Sequence, residues 1–294
     1  MRRLLEAPLP LLFLTGMLLG SMLPMARVAG AAGWSPLAFA FWPALGSGLA
    51  LAVAGLRRQP GGYDKARLLR YSLVGGIFSI AIPNSLTFLA MEQLGTTMVS
   101  LMFTLPPLFT YAFAWAIGAE RYQPLRLAGI LVGLSGAALL VFGRAGLEAG
   151  QHQIGWLALA LCVPISLGIG NVYRRQRLPP GLEASLLAGW MLLGGALTML
   201  PVLAASGPQF PAWPRWNVIM AQAGLTILGY LLYFRFQKMA DAVYFSQLGY
   251  VIAAVGVLFG LLFFGEAMTA ATAAAIALIV AGIAMVNRAP GEKT

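Results

Sequence analysis

Gln222, Thr226, Tyr230 and Tyr233 recur at i, i+4, i+8 and i+11 within an apolar stretch of this 294-residue chain. That spacing puts an amide, a hydroxyl and two phenols along one face of a helix. Such a row can hydrogen-bond a polar solute, but it holds no nucleophile with a base beside it. A second set, Ser246 and Tyr250, follows at i, i+4, with Tyr244 and Gln247 beside it. Asn84 and Thr87 sit in another apolar stretch, and Ser100 and Thr104 form a further i, i+4 pair. Hydrocarbon offers these groups no partners, so they should face one another or an aqueous cavity. Bridging of helices is the competing use for any single Ser or Thr. Trp42, Phe78, Phe88 and Tyr250 are the aromatic side chains expected to stack on an apolar or aromatic solute.

Other chemistries find few residues. The single Cys162 excludes an internal disulfide, and the single His152 argues against a histidine metal site. No G-x-x-x-x-G-K-[ST] loop is present, so the chain does not bind ATP as a P-loop motor would. There is no H-E-x-x-H, and no Ser/His/Asp set or paired aspartates fall within the apolar stretches. We therefore expect no enzyme and no cofactor. Glu6, Asp64, Glu92, Glu120, Glu148, Glu183, Asp241, Glu266 and Glu292 all fall at or near the ends of apolar stretches. Ion-coupled carriers usually keep ionisable groups deep in the bilayer, so this placement favours facilitated diffusion or exchange over strong coupling.

The elements that must position the polar stripes are written twice. Glu120 and Glu266 each close an apolar run and a glycine turn, Ile117-Gly118-Ala119-Glu120 and Phe263-Phe264-Gly265-Glu266, and lie 266 − 120 = 146 positions apart. The same shift pairs Gly136 with Gly282, Ser100 with Ser246 and Gly48 with Gly194. It carries the stripe from Gln222 onto Gly76, Ile80, Asn84 and Thr87. Residues 1–145 and 146–294 are thus read as two copies.

With 60% hydrophobic and 10% charged residues, and a mean hydropathy of +0.81, lipid must be the solvent. Ten stretches approach the length needed to cross a bilayer, near 8–26, 34–56, 69–91, 95–118, 124–142, 153–173, 182–204, 216–236, 242–264 and 268–287. The expectation is an all-α membrane protein. Five spans per copy is an odd number, so the second copy enters the membrane inverted, an arrangement typical of transporters. Placing the N-terminus in the cytoplasm puts every Lys and Arg except Arg27, Arg144 and Arg215 on the cytoplasmic side, the C-terminus included. Because the basic residues are split among short loops, the +10 charge does not signal nucleic acid. Arg2-Arg3, an apolar run and Val28-Ala29-Gly30-Ala31-Ala32 also fit a cleavable leader; its removal would leave nine spans and take away the partner of the sixth.

Glu120 and Glu266 precede helices, where the positive end of the helix dipole favours a carboxylate. Pro24, Pro43, Pro83, Pro106, Pro107 and Pro164 fall inside spans and are expected to kink or hinge them. G-x-x-x-G at Gly16/Gly20, Gly129/Gly133 and Gly256/Gly260 allows close helix approach.

The residues that carry the duplication resemble a known family. Leu105-Pro106-Pro107 through Glu120 and on to Leu127-Ala128-Gly129-Ile130-Leu131-Val132-Gly133 is similar to the end of an EamA repeat. Ala242 through Phe264-Gly265-Glu266 to Val280-Ala281-Gly282 resembles it again. The resemblance, to the EamA family of the drug/metabolite transporter superfamily, covers essentially the whole chain and is nearest to YddG-type exporters of aromatic and neutral amino acids. It implies a ten-helix carrier of the bacterial inner membrane with two inverted five-helix repeats, exporting small metabolites. It also implies a cavity between spans 1, 3, 4, 6, 8 and 9, with spans 5 and 10 peripheral. The expected partners are a small-molecule substrate and lipid. The expected substrate-binding residues are Asn84, Gln222, Thr226, Tyr230, Ser246, Gln247, Tyr250, Trp42 and Phe78. The competing readings are an exporter of lipophilic cations or drugs, and a membrane scaffold that transports nothing.

Overall fold

The computed structural model describes residues 7–59, 61–142, 151–206, 215–263 and 270–288, and the regular structure among them is helical. The helices are α1 (Pro8–Gly20), α2 (Met22–Ala31), α3 (Pro36–Arg58), α4 (Lys65–Gly76), α5 (Ile82–Met102), α6 (Pro106–Ala116), α7 (Pro124–Phe142), α8 (Gln151–Arg177), α9 (Ala184–Ala205), α10 (Trp216–Met239), α11 (Ala242–Ser246), α12 (Leu248–Phe263) and α13 (Ala270–Arg288). Five stretches of the described chain are long and apolar enough to cross a membrane: Pro8–Ala31, Pro36–Arg58, Lys65–Ala90, Ala184–Ala205 and Trp216–Met239.

Local chemistry sets the helix ends. Proline opens α1, α3 and α6, where its missing N–H has no partner to lose. Ser35, Asp64 and Asp241 accept from the backbone N–H of Ala38, Arg67 and Tyr244 at 3.2, 2.9 and 2.7 Å, capping α3, α4 and α11. After α6 the chain reverses at Gly118, whose φ of 70° suits glycine, and the N–H groups of Ala119 and Glu120 return to the Ala114 carbonyl. The Glu120 carboxylate then meets Arg126 Nη1 at 2.9 Å, while Arg126 Nη2 reaches Asp241 at 2.9 Å. Glu120 therefore has an ionic role within the first half in addition to its place before α7, and Arg126 carries the link on to Asp241 of the second half. Glu266 lies outside the described residues.

Two proline effects differ from simple kinks. Ahead of Pro83 the helix widens into a π-turn at Ile77–Ala81 that joins α4 to α5. Pro83 has no N–H for the Ser79 carbonyl and its ring needs room there, which the wider turn provides. The connection expected between residues 91 and 95 is instead continuous helix, since α5 runs to Met102. The break comes at Phe103–Leu105, because Pro106-Pro107 cannot continue the hydrogen-bond ladder and must start a new helix. The segment expected to run unbroken from 242 divides at Gln247. These two breaks meet: a Cβ on Gly249 would overlap the Phe103 carbonyl oxygen.

Packing follows an exchange between the halves. The α1 helix lies against α12 and α10, as α8 lies against α5–α6 and α4. The α3–α10 contact has its counterpart in α9–α4, while α3 pairs with α9 and α7 with α13. Glycines set the closest seams. A Cβ on Gly55 would stand 2.5 Å from Leu186 Cα, and one on Gly129 would stand 2.8 Å from Val286 Cγ2. Gly16 and Gly20 similarly admit Val251 and Val255 of α12.

Candidate functional site: a two-half cavity with a buried arginine at its floor

Between the halves lies an open cavity of about 120 Å³. The first half supplies Leu19, Met22 and Leu23 from α1–α2, Phe39, Ala40, Pro43 and Ala44 from α3, and Phe103 and Pro106 at the α5–α6 break. Ser79 of the π-turn and Pro83, Asn84, Thr87 and Phe88 of α5 form the adjoining wall. The second half supplies Leu167 and Asn171 of α8, Leu192 of α9, and Gln222, Thr226, Tyr230 and Tyr233 of α10. Phe245 and Ser246 of α11 close the ring with Leu248, Gly249 and Ile252. Among the described residues none of α7 or α13 lines it, in keeping with their pairing with each other. The α3 helix and Leu192 of α9 contribute walls that the expected six-span arrangement lacked.

All four members of the stripe beginning at Gln222 face this space. The mirrored stripe splits: Asn84 and Thr87 line the cavity, whereas Gly76 and Ile80 pack on Gly194–Gly195 of α9. Thr226 Oγ1 donates to the Gln222 carbonyl at 2.8 Å and Ser246 Oγ to the Val243 carbonyl at 2.6 Å, so both hydroxyls also satisfy their own helices. Gln222 Oε1 and Thr87 Oγ1 are buried at the cavity without a hydrogen-bond partner. Unsatisfied polar atoms on a cavity wall suit a guest that supplies the missing donor or acceptor.

Four of the expected substrate-binding residues do not line the cavity. Tyr250 is fully buried against Gly133 and donates from its hydroxyl to the Ile130 carbonyl at 3.1 Å. Gln247 is fully buried at the α11–α12 break, and both its amide atoms lack partners. Trp42 stands edge-on to Phe41 and Trp216, with ring centroids 5.1 and 5.7 Å away. Phe78 stands outside the lining, and its backbone carbonyl accepts from Ser166 Oγ at 2.9 Å.

Arg174, read from sequence only as a cytoplasmic loop charge, is fully buried within α8. Its Nε donates to Gln237 Oε1 at 3.2 Å, Nη2 to Asn171 Oδ1 at 2.6 Å, and Nη1 to Ser79 Oγ. Gln237 Nε2 in turn donates to the Tyr71 hydroxyl at 2.9 Å, and Asn171 Nδ2 to Thr110 Oγ1 at 3.0 Å. The guanidinium carbon sits 5.2 Å from the centre of the Tyr233 ring and 5.5 Å from that of Phe245. Ser79, Asn171, Tyr233 and Phe245 are also cavity walls, so the guanidinium lies directly behind the floor. The signal available in sequence was the i, i+3 pair of Asn171 and Arg174, two polar groups on one helical face.

Comparison with known proteins places this architecture. The chain is 27% identical over 94% of its length to the uncharacterized inner membrane transporter YedA of Escherichia coli K12, covering 89% of that protein. It is 28% identical to the aromatic amino acid exporter YddG of Ancylobacter novellus, over 72% of this chain and 73% of that one. A chain of known crystal structure shares the fold, with a TM-score of 0.74 at 21% identity, spanning 94% of this chain and 98% of its own. The model of the EamA-like transporter family matches twice, at residues 8–142 and 154–288, and the second match begins 154 − 8 = 146 positions after the first. That displacement is the one separating Glu120 from Glu266. This chain belongs to the EamA-like transporter family.

Proposed function

We propose that this transporter exports small neutral metabolites, aromatic or other apolar amino acids foremost, across the bacterial inner membrane by facilitated diffusion or exchange with alternating access. The observation that carries the reading is the cavity walled by both halves, where Asn84, Gln222, Thr226, Tyr230 and Ser246 present polar groups among Phe88, Phe103 and Phe245. Those residues are the proposed contacts to substrate; Gln247, Tyr250, Trp42 and Phe78 are assigned to packing. The name of the YddG relative supports amino acids as cargo, and that of YedA supports the inner membrane. We read the chain as ten spans in two inverted five-helix repeats, residues 1–145 and 146–294, with both termini cytoplasmic. The exchange symmetry of the packing and the distribution of Lys and Arg support that topology. No catalytic step is assigned.

The test is uptake by proteoliposomes containing only this protein, preloaded with unlabelled solute and offered labelled amino acids and lipophilic cations. Counterflow of amino acids is expected with or without a pH gradient. Absence of flux for every solute overturns the carrier reading, and flux that requires the gradient overturns the uncoupled one.

A further inference from the structure

The Arg174 guanidinium combines three properties that packing alone does not call for. It is fully buried, every partner it touches is neutral, and among the described residues no carboxylate pairs with it. A cation held away from water without a counter-charge is costly to a fold, and in a membrane protein it marks a functional position. Ser, Asn and Gln dipoles with two aromatic faces stabilise such a charge only in part, and they leave its positive potential unneutralised in a low-dielectric surrounding. That potential emerges where Ser79, Asn171, Tyr233 and Phe245 form the cavity floor.

The hydrogen bonding is arranged to pass the charge on. Ser79 Oγ and Asn171 Oδ1 each accept one bond from Arg174, so the Ser79 oxygen is turned to the guanidinium while its hydroxyl proton can be donated to a guest. An anionic group resting there would accept a hydrogen bond from the Ser79 hydroxyl and lie one side-chain layer from the guanidinium. The surroundings favour a carboxylate on an apolar body, because Phe88, Phe103 and Phe245 occupy the adjacent walls. A lipophilic cation would meet uncompensated like charge.

Resting on the carrier reading above, we propose that Arg174, acting through Ser79 and Asn171, makes the cavity floor a carboxylate subsite and so sets specificity for carboxylate-bearing solutes with an apolar side chain. Arg174 is a positioning and field-setting residue in this scheme, and Ser79 is the one that touches the cargo.

The experiment measures equilibrium binding to the purified full-length protein by ligand-induced thermal stabilisation, with four probes of common shape: 3-phenylpropionate, 3-phenylpropionamide, phenylalanine and 2-phenylethylamine. Wild type should bind the two carboxylates about thirtyfold more tightly than the amide, and the amine most weakly. R174Q should lose that preference, with acid binding falling far more than amide binding, whereas damage to folding would weaken acid and amide alike. R174K keeps the charge without the planar fork and should retain part of the preference. If R174Q does not fold, the wild-type acid-to-amide ratio and R174K decide the matter. Equal affinity for acid and amide in wild type overturns the subsite, as does an undiminished acid preference in R174Q or parallel loss of both probes. Displacement of 3-phenylpropionate by millimolar inorganic phosphate overturns the choice of carboxylate over phosphate. Arg174-dependent acid binding without flux of any solute sinks the carrier reading and leaves the subsite standing. Equal flux of acid and amine does the reverse.

Discussion

R126Q offers a quantitative test of how burial divides the energy of the Glu120–Arg126–Asp241 cluster, whose Asp241 arm crosses between the halves. Arg126 places Nη1 against Glu120 and Nη2 against Asp241, each at 2.9 Å. Its side chain is 4% exposed, against 14% for Glu120 and 30% for Asp241. Removing one partner of a well-buried pair typically costs 3–5 kcal/mol, whereas an exposed pair contributes about 1 kcal/mol or less. Asp241 keeps solvent access and its bond from the Tyr244 N–H at 2.7 Å, so its share belongs to the lower class. The expected loss for R126Q is therefore about 3 kcal/mol, most of it carried by the Glu120 pair. The assay is reversible unfolding in mixed micelles, run as two double-mutant cycles, R126Q with E120Q and R126Q with D241N. The Glu120 coupling should exceed the Asp241 coupling about twofold or more, as their exposures require. A larger coupling to Asp241, or values near zero for both, would refute the argument from burial.

Q222L should raise the KM for transported solute with little change in kcat or in stability, because Gln222 Oε1 has no partner to lose; unchanged transport kinetics would remove it from the site. Y250F should cost about 1 kcal/mol in unfolding by losing the bond to the Ile130 carbonyl, while counterflow stays at wild-type rate. G76A drives a Cβ to 2.8 Å from the Gly194 carbonyl carbon, where backbone cannot yield, and should destabilise by about 1–3 kcal/mol in the same unfolding assay.

Much of the fold was legible because duplication and hydropathy are properties of sequence order. The Ile117-Gly118-Ala119-Glu120 turn and its repeat gave the 146-residue period, and helical spacing alone put Gln222, Thr226, Tyr230 and Tyr233 on one wall. Spacing could not say which polar face meets a cavity and which meets a neighbouring helix. Gly76 and Ile80 share a stripe with Asn84, yet the π-turn at Ile77–Ala81, which contains Ile80, shifts the helical register ahead of Asn84, and the earlier pair packs on α9. Tyr250 shares the i, i+4 pattern with Ser246, but the break at Gln247 changes its direction and sends it to Gly133. Arg174 was hidden for a different reason. A basic residue near a span end reads as a topology signal, and only tertiary contacts with Ser79, Gln237 and Tyr233 reveal that it points inward.

The glycine seam between α3 and α9 limits how this molecule can move. With Gly55 against Leu186 and Gly48 against Leu193, two backbones from opposite halves run nearly in touch, and α7 and α13 are locked likewise around Gly129 and Gly282. Neither joint has slack for one half to slide over the other. The alternating-access cycle proposed above would then flex inside each half, at the bend by Ser21, the widened turn before Pro83 and the interruption at Gln247, while the two seams act as fixed posts on either flank.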